Sequence, residues 1–183
     1  VPTDPAVPTD SAPTGPAVPT DPGSLSATVR SAPVRAQLDA FLDEHRRHLA
    51  ACLDGLSEEE ACRRLVPSRT TLLGLVKHAT FVEQVWFDEA ITCRSRAEIG
   101  IPATPDESFV LDDGDTVASV GRAYESVCSA SRARVAGIEL DDLVHGNRRG
   151  PMPLRWVYLH VLRELAQHGG HADILREQVL AGR

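Results

Sequence analysis

The sequence predicts an all-α protein, a four-helix bundle preceded by a disordered or extended proline-rich tail. Three observations predict it. Four long stretches repeat apolar residues with a period near 3.6. Loops rich in glycine, proline and acidic residues separate them, and no stretch alternates as a half-buried strand would. The first 29 residues are a degenerate repeat that no apolar core can absorb.

That opening stretch is expected as a tail over residues 1–29, with the bundle over 30–183. AVPTD recurs at Ala6 and Ala17, and seven of the 13 prolines fall before Gly23. Proline removes backbone donors, and the intervening Thr, Asp and Ser are polar, so the segment has nothing to bury. The first helix is expected from about Val34 to Leu53, with Leu38, Phe41, Leu42, His45, Leu49 and Cys52 in period and Asp54-Gly55 ending it. His45 lies on that stripe and reads as a core or rim histidine. Ser57 with Glu60 makes a capping box for a short helix over Glu58 to Leu65, which Pro67-Ser68 breaks. Thr70 or Thr71 caps a second long helix that runs to about Cys93. Its stripe of Leu75, His78, Val82 and Val85 points His78 inward. Residues 94–114 form a loop long enough to suspect that it covers a site. Asp115 or Thr116 starts the third helix, with Val117, Val120, Tyr124, Val127, Cys128, Ser131 and Val135 in period, and Gly137 closes it. A second loop, Leu140 to Pro153, leads into the fourth helix, Leu154 to Leu180. The loops after the first two helices are long enough for connections between helices that are not neighbours.

Composition limits the function. At 183 residues, 42% of them apolar and 4% aromatic, the chain suits one domain with an aliphatic core. A net charge of -7 and a pI near 5.5 argue against a nucleic-acid surface. No apolar run is long enough to span a membrane, and no basic start followed by an apolar run marks a secretory signal. Cys52, Cys62, Cys93 and Cys128 show no CxxC spacing. Three of them, Cys52, Cys93 and Cys128, fall on expected helices as small apolar residues. All four read as reduced thiols of a cytoplasmic protein.

Chemistry concentrates in the fourth helix. His160, Glu164, His168 and His171 are separated by four, four and three residues, so they share one stripe flanked by Leu, Val and Ala. Burying such groups is costly unless each has a partner, and a metal ion satisfies most of them at once. A merely polar helix face is the alternative. His78 reads either as a core histidine bonded to a carbonyl or as a ligand, since it stands on the second helix where a bundle would need one facing the fourth.

These residues also carry a resemblance. LLGLVKHATFVEQVWF, Leu72 to Phe87, resembles the second-helix motif of the DinB-like superfamily. LRWVYLHVLRELAQHGGHADILRE, Leu154 to Glu177, is similar to the last-helix motif of its DUF664 branch. The order and spacing of PSRTTLLGLVKH, GDTVASVGRAYESVC and PLRWVYLH fit as well, so the likeness covers about residues 33–182. It implies a bundle of DinB-like type, commonly a homodimer, with a divalent metal near one end. By that likeness the ligands are His78 from the second helix and the pair Glu164 and His168 from the last. Glu-x-x-x-His resembles the mycothiol-dependent isomerase branch, whereas many members carry His-x-x-x-His. Gly169-Gly170-His171 stands where many members have Arg-Gly-Gln, which makes His171 an alternative ligand, with Glu164 then free to act as base.

Two imidazoles and a carboxylate leave open positions on an ion, an arrangement found more often in catalysis than in structure. Zinc is expected by ligand type, with nickel, iron or manganese as alternatives. Relatives use such a metal to activate a low-molecular-weight thiol such as mycothiol or bacillithiol. The expected activity is therefore thiol S-transfer to a small-molecule electrophile. The alternatives are a hydrolase using metal-bound water with Glu164 or His171 as catalytic base, and a non-catalytic metal-binding stress protein. His160 and Asp173 are candidates to orient the ligands, with an inward, unligated histidine and a helix-surface aspartate as the alternatives. Trp86 and Trp156 read as packing residues. Arg148 and Arg149 read as a solvated loop pair, with anion binding as the alternative. The metal reading requires the His78 imidazole to lie within about 8 Å of those on the fourth helix, because ligand bonds are near 2 Å.

Overall fold

The computed structural model describes residues 25–182. Most of the tail expectation therefore lies outside the described residues; of residues 1–29, Leu25–Thr28 form one helical turn whose Ser26 N–H donates to Glu44 at 3.0 Å. Four long helices follow. Helix α1 spans Val34–Ala51. Helix α2 begins as Leu72–Gln84, passes through a π-helical stretch Val85–Glu89 and ends with Ala90–Thr92. Helix α3 spans Val117–Val135, and α4 spans Leu154–Ala181. The protein is an all-α four-helix bundle.

Local signals set the helix starts. Thr71, not Thr70, caps α2 by accepting the Gly74 N–H at 3.0 Å. Thr116 and Ser119 form a capping box at the start of α3. The Ser57–Glu60 box is present too, but its helix is only Glu58–Ala61, shorter than the period suggested. Within residues 94–114 the chain forms two further single turns, Arg96–Ile99 and Glu107–Phe109.

Helix α4 packs against α1 and α2, and α3 packs against the same two helices. Consecutive helices α1 and α2 therefore sit on a diagonal of the bundle, as do α3 and α4. The long linker between α1 and α2 permits the first of these. The core is aliphatic, with Leu42, Leu49, Leu72, Leu73, Leu75, Val76, Leu154 and Leu165 almost fully buried, and Tyr124, Tyr158 and Phe87 as its large rings. Across the α1–α2 diagonal runs a buried ion pair. Arg46 donates to both carboxylate oxygens of Glu83, at 2.8 and 2.7 Å, and to Asp43 at 2.9 Å. Apolar patterning could not find this pair, because it puts two charged side chains at core positions of their helices.

Three expectations need correction. Phe41 is 44% exposed, because the buried face of α1 runs through Leu42, Arg46 and Leu49 and leaves Phe41 about 100° away on the helix. Cys93 is exposed and sits at φ +60° just past the end of α2, so it is a left-handed terminus, not a helical core residue. The chain also holds strand, in a ladder too short for alternation to reveal: β1 (Leu143–Val144) pairs antiparallel with β2 (Met152–Pro153). That ladder closes the loop before α4. Among the described residues no helix is long and apolar enough to cross a membrane.

Candidate metal centre

Helix α2 places His78 on its buried face, and α4 places Glu164 and His168 one turn apart on the face opposite. One ligand atom from each of the three lies within 4.8 Å of the others. The rings of His78 and His168 meet edge to face at 4.7 Å between centroids, well inside the limit the metal reading required. Glu164 Oε2 lies 3.7 Å from His168 Nε2, and Glu164 Oε1 lies 3.7 Å from His160 Nε2.

The hydrogen bonds leave these groups ready for a cation. Ser108 donates its hydroxyl to the Pro105 carbonyl at 2.5 Å, so its oxygen accepts from His78 Nδ1 at 2.7 Å. That chain places the His78 proton on Nδ1 and leaves Nε2 with a free lone pair. Phe109 stacks on the His78 ring at 4.0 Å and fixes its plane. Both ring nitrogens of His168 are buried with no hydrogen-bond partner. An imidazole buried with neither nitrogen satisfied is rare and costly, and a divalent cation would remove that cost. Two imidazoles and one carboxylate form a donor set suited to zinc and its neighbours. The residues present fit a divalent metal.

Burial holds both imidazoles neutral. Desolvation, then the neighbouring His168, pushes the His78 pKa down to about 3. Burial also lowers that of His168, with Glu164 opposing the shift and His171 adding to it. In the unfolded chain each would titrate near 6.5. The unfolded state therefore binds more protons below that pH, and stability is lost as pH falls below about 6.5, for His78 down to about 3. For metal-free protein, urea unfolding should weaken across this window by up to about 1.4 kcal/mol per pH unit for each histidine. His78→Gln should flatten the dependence; an identical slope in the variant would refute this account.

The other sequence-selected residues are arranged as follows. His160 lies one turn before Glu164, stacked on Trp156 at 5.0 Å and against Trp86 at 4.1 Å, with Nδ1 3.0 Å from Arg163. Burial lowers its pKa, Glu164 raises it, and Arg163 and Arg149 lower it further. His171 is exposed and outside the three-residue group, its ring 5.9 Å from that of His168. It faces a separate groove with Val66, Thr70 and Ile174. Asp173 is exposed and pairs with His48 Nε2 at 2.9 Å, on the α1 side of α4. Its carboxylate meets none of the clustered imidazoles.

A cavity of about 180 Å³ opens beside the cluster, lined by His78, Glu164, His160, Val82, Val85 and Trp86 and by four arginines. Trp86, read from the sequence as packing, is part of its wall. The π-helical stretch begins one residue before Trp86, and its extra residue shifts the following side chains off the earlier stripe, which the period does not announce. Ser108 was missed as well. Its only sequence signal was its place in a loop long enough to be suspected. Gly146 brings the second loop to the cavity: its N–H donates to Ala90 O at 2.8 Å, and any Cβ there would overlap the Glu89 carbonyl. Asn147, Arg148 and Arg149 follow directly and reach the cavity.

A family model described as MST: Mycothiol-S-transferase matches residues 37–181, which is most of the chain and all four long helices but the first turn of α1. No curated protein matches the chain.

Proposed function

The chain belongs to the mycothiol S-transferase family, and from that premise we propose that it is a metal-dependent transferase joining a low-molecular-weight thiol, mycothiol or a relative, to a small electrophile. His78, Glu164 and His168 hold the metal in this reading. The observation that carries it is the buried His168 ring, unsatisfied at both nitrogens and facing His78. A divalent cation there, zinc by donor type, would bring a thiol of ordinary pKa about 8.5 into its reactive thiolate form near neutral pH.

The chain's own residues do the rest. Two neutral imidazoles and one carboxylate leave a single negative charge on the protein side and keep positions open toward the cavity. Ser108 and Phe109 fix the His78 ring, and Arg163 holds Glu164 Oε1 by donating to it at 3.1 Å. Trp86, Val82 and Val85 give the space where the acceptor would lie an apolar wall. In the transfer an S–H bond breaks and an S–C bond forms, the proton going to solvent and the displaced group leaving with its electron pair. The proposal extends to a cytoplasmic homodimer acting on small molecules.

The test is thiol consumption by the purified, metal-loaded protein with an aryl chloride as acceptor. Mycothiol should disappear in step with chloride release. Turnover of ester or amide substrates with no thiol present would instead favour a hydrolase, with Glu164 or His171 as base. Protein isolated without any divalent metal would favour a non-catalytic bundle.

A further inference from the structure

The charge of the molecule reverses at the mouth of the cavity. The whole chain carries -7, yet Arg96, Arg148, Arg149 and Arg163 line this space against the one carboxylate of Glu164. Arg96 is committed to Glu89, at 3.1 Å, and to the Ala103 carbonyl. Arg163 is committed to Glu164 at 3.1 Å and His160 at 3.0 Å. Arg148 and Arg149 form no ion pair among the described residues, although both border the cavity.

Arg149 is also held in position. Its guanidinium carbon lies 5.6 Å from the centre of the Trp86 ring and 6.0 Å from that of Trp156. Its backbone N–H donates to Asn147 Oδ1 at 3.0 Å, and Asn147 is itself buried. An arginine resting on aromatic faces keeps its in-plane N–H donors free, in the geometry that takes a carboxylate with two parallel bonds. The wall beside it is apolar, made of Phe81, Val82, Val85 and Trp86.

We propose that this cavity is the acceptor pocket and that its acceptor is a small carboxylate. The carboxylate is gripped by Arg149 with Arg148 as a second cation, and an apolar or aromatic body lies along Val82, Val85 and Trp86 toward the metal centre. The proposal rests on the transferase reading of that centre. It also makes the loop after β1 the specificity element, because Gly146 alone lets the loop close on α2.

The chain's two tryptophans are Trp86 in the cavity wall and Trp156 beside it, so intrinsic fluorescence reports on this region. The full-length protein is titrated with benzoate and, separately, with benzamide, in the absence of thiol. Benzoate should change the fluorescence saturably and bind about 10-fold tighter than benzamide, the effect of one charge-assisted pair. Arg149→Ala should remove that preference, and Arg149→Lys should restore part of it. A second arm compares conjugation of 4-chloro-3-nitrobenzoate with that of 1-chloro-2,4-dinitrobenzene, the thiol sulfur replacing chloride in each. Arg149→Ala should raise the KM for the carboxylate-bearing acceptor about 10-fold with little change in kcat. Equal binding of benzoate and benzamide, or benzoate binding indifferent to Arg149, overturns the proposal. An Arg149 effect on the KM of the thiol in place of the acceptor overturns it too, by assigning the cations to the other half of the reaction. Arg149-dependent benzoate binding with no conjugation of any acceptor would leave the anion pocket standing while the transferase reading falls.

Discussion

Replacing either His78 or His168 with alanine is expected to abolish metal binding. Purified wild-type protein should hold about one divalent ion per chain, and each variant less than about a tenth of that, because an open site with three protein ligands has none to spare. The neutral state of both rings and the orphaned nitrogens of His168 are the physical reasons. Ser108→Ala supplies a graded comparison. It keeps all three ligands and removes only the hydroxyl that accepts from His78 Nδ1. Loss of such an outer partner weakens metal affinity about 10- to 100-fold, so that variant should load metal fully in excess and lose it readily to a chelator. Elemental analysis of the wild type and the three variants decides the matter. Full metal content in both histidine variants would mean that the ion, if any, sits elsewhere, and the cavity beside Glu164 would lose its chemical meaning.

Glu83→Ala should be the most destabilising single change outside the metal centre. Glu83 is fully buried and Arg46 nearly so, and each guanidinium–carboxylate contact is 2.8 Å or shorter. Alanine leaves Arg46 inside the bundle with Asp43 as its remaining carboxylate, and breaking a buried pair from one side costs about 3–5 kcal/mol. For a domain of this size that should lower Tm by roughly 10 °C, read by circular dichroism. The double variant Arg46→Met, Glu83→Leu removes both charges and should recover most of the loss, since apolar replacement of a buried pair is often neutral. If the single variant melts within about 1 °C of wild type, the pair is not what holds the α1–α2 diagonal.

Several parts of the centre could be read from residue spacing. Four-residue steps put His160, Glu164 and His168 on one stripe and the period of α2 turned His78 inward, while the grouping of His78 with Glu164 and His168 was what the DinB-like resemblance implied. His171 shares the sequence stripe but lies exposed beside a different groove. By azimuth it falls between His160 and Glu164, but it lies nearly a turn farther along α4 than His168, where Val66 and Thr70 are its neighbours, and only the tertiary packing makes that axial step matter. Asp173 shows the same limit: it was a candidate to orient a ligand, and it pairs with His48 because α1 lies on that side of α4. Trp86 read as packing and is buried, and Arg149 read as solvated and is exposed, yet each also borders the cavity. The π-helical stretch and the docking of Gly146 on α2 place both on the cavity, and neither feature has a periodic signature.

The amino-acid sequence by itself determined the helical class, the number of long helices and the family, and narrowed the caps of α2 and α3 to two residues each, because these depend on period, capping chemistry and motif over short spans of chain. The tertiary structure alone decided which helices are neighbours, that Arg46 and Glu83 meet across the core, and that a cationic loop and a tryptophan share a cavity with three metal-type ligands. Such pairings join residues tens of positions apart, and local preference carries no information about them. They are settled by which apolar faces bury against each other, and by which polar groups that burial then forces to find partners.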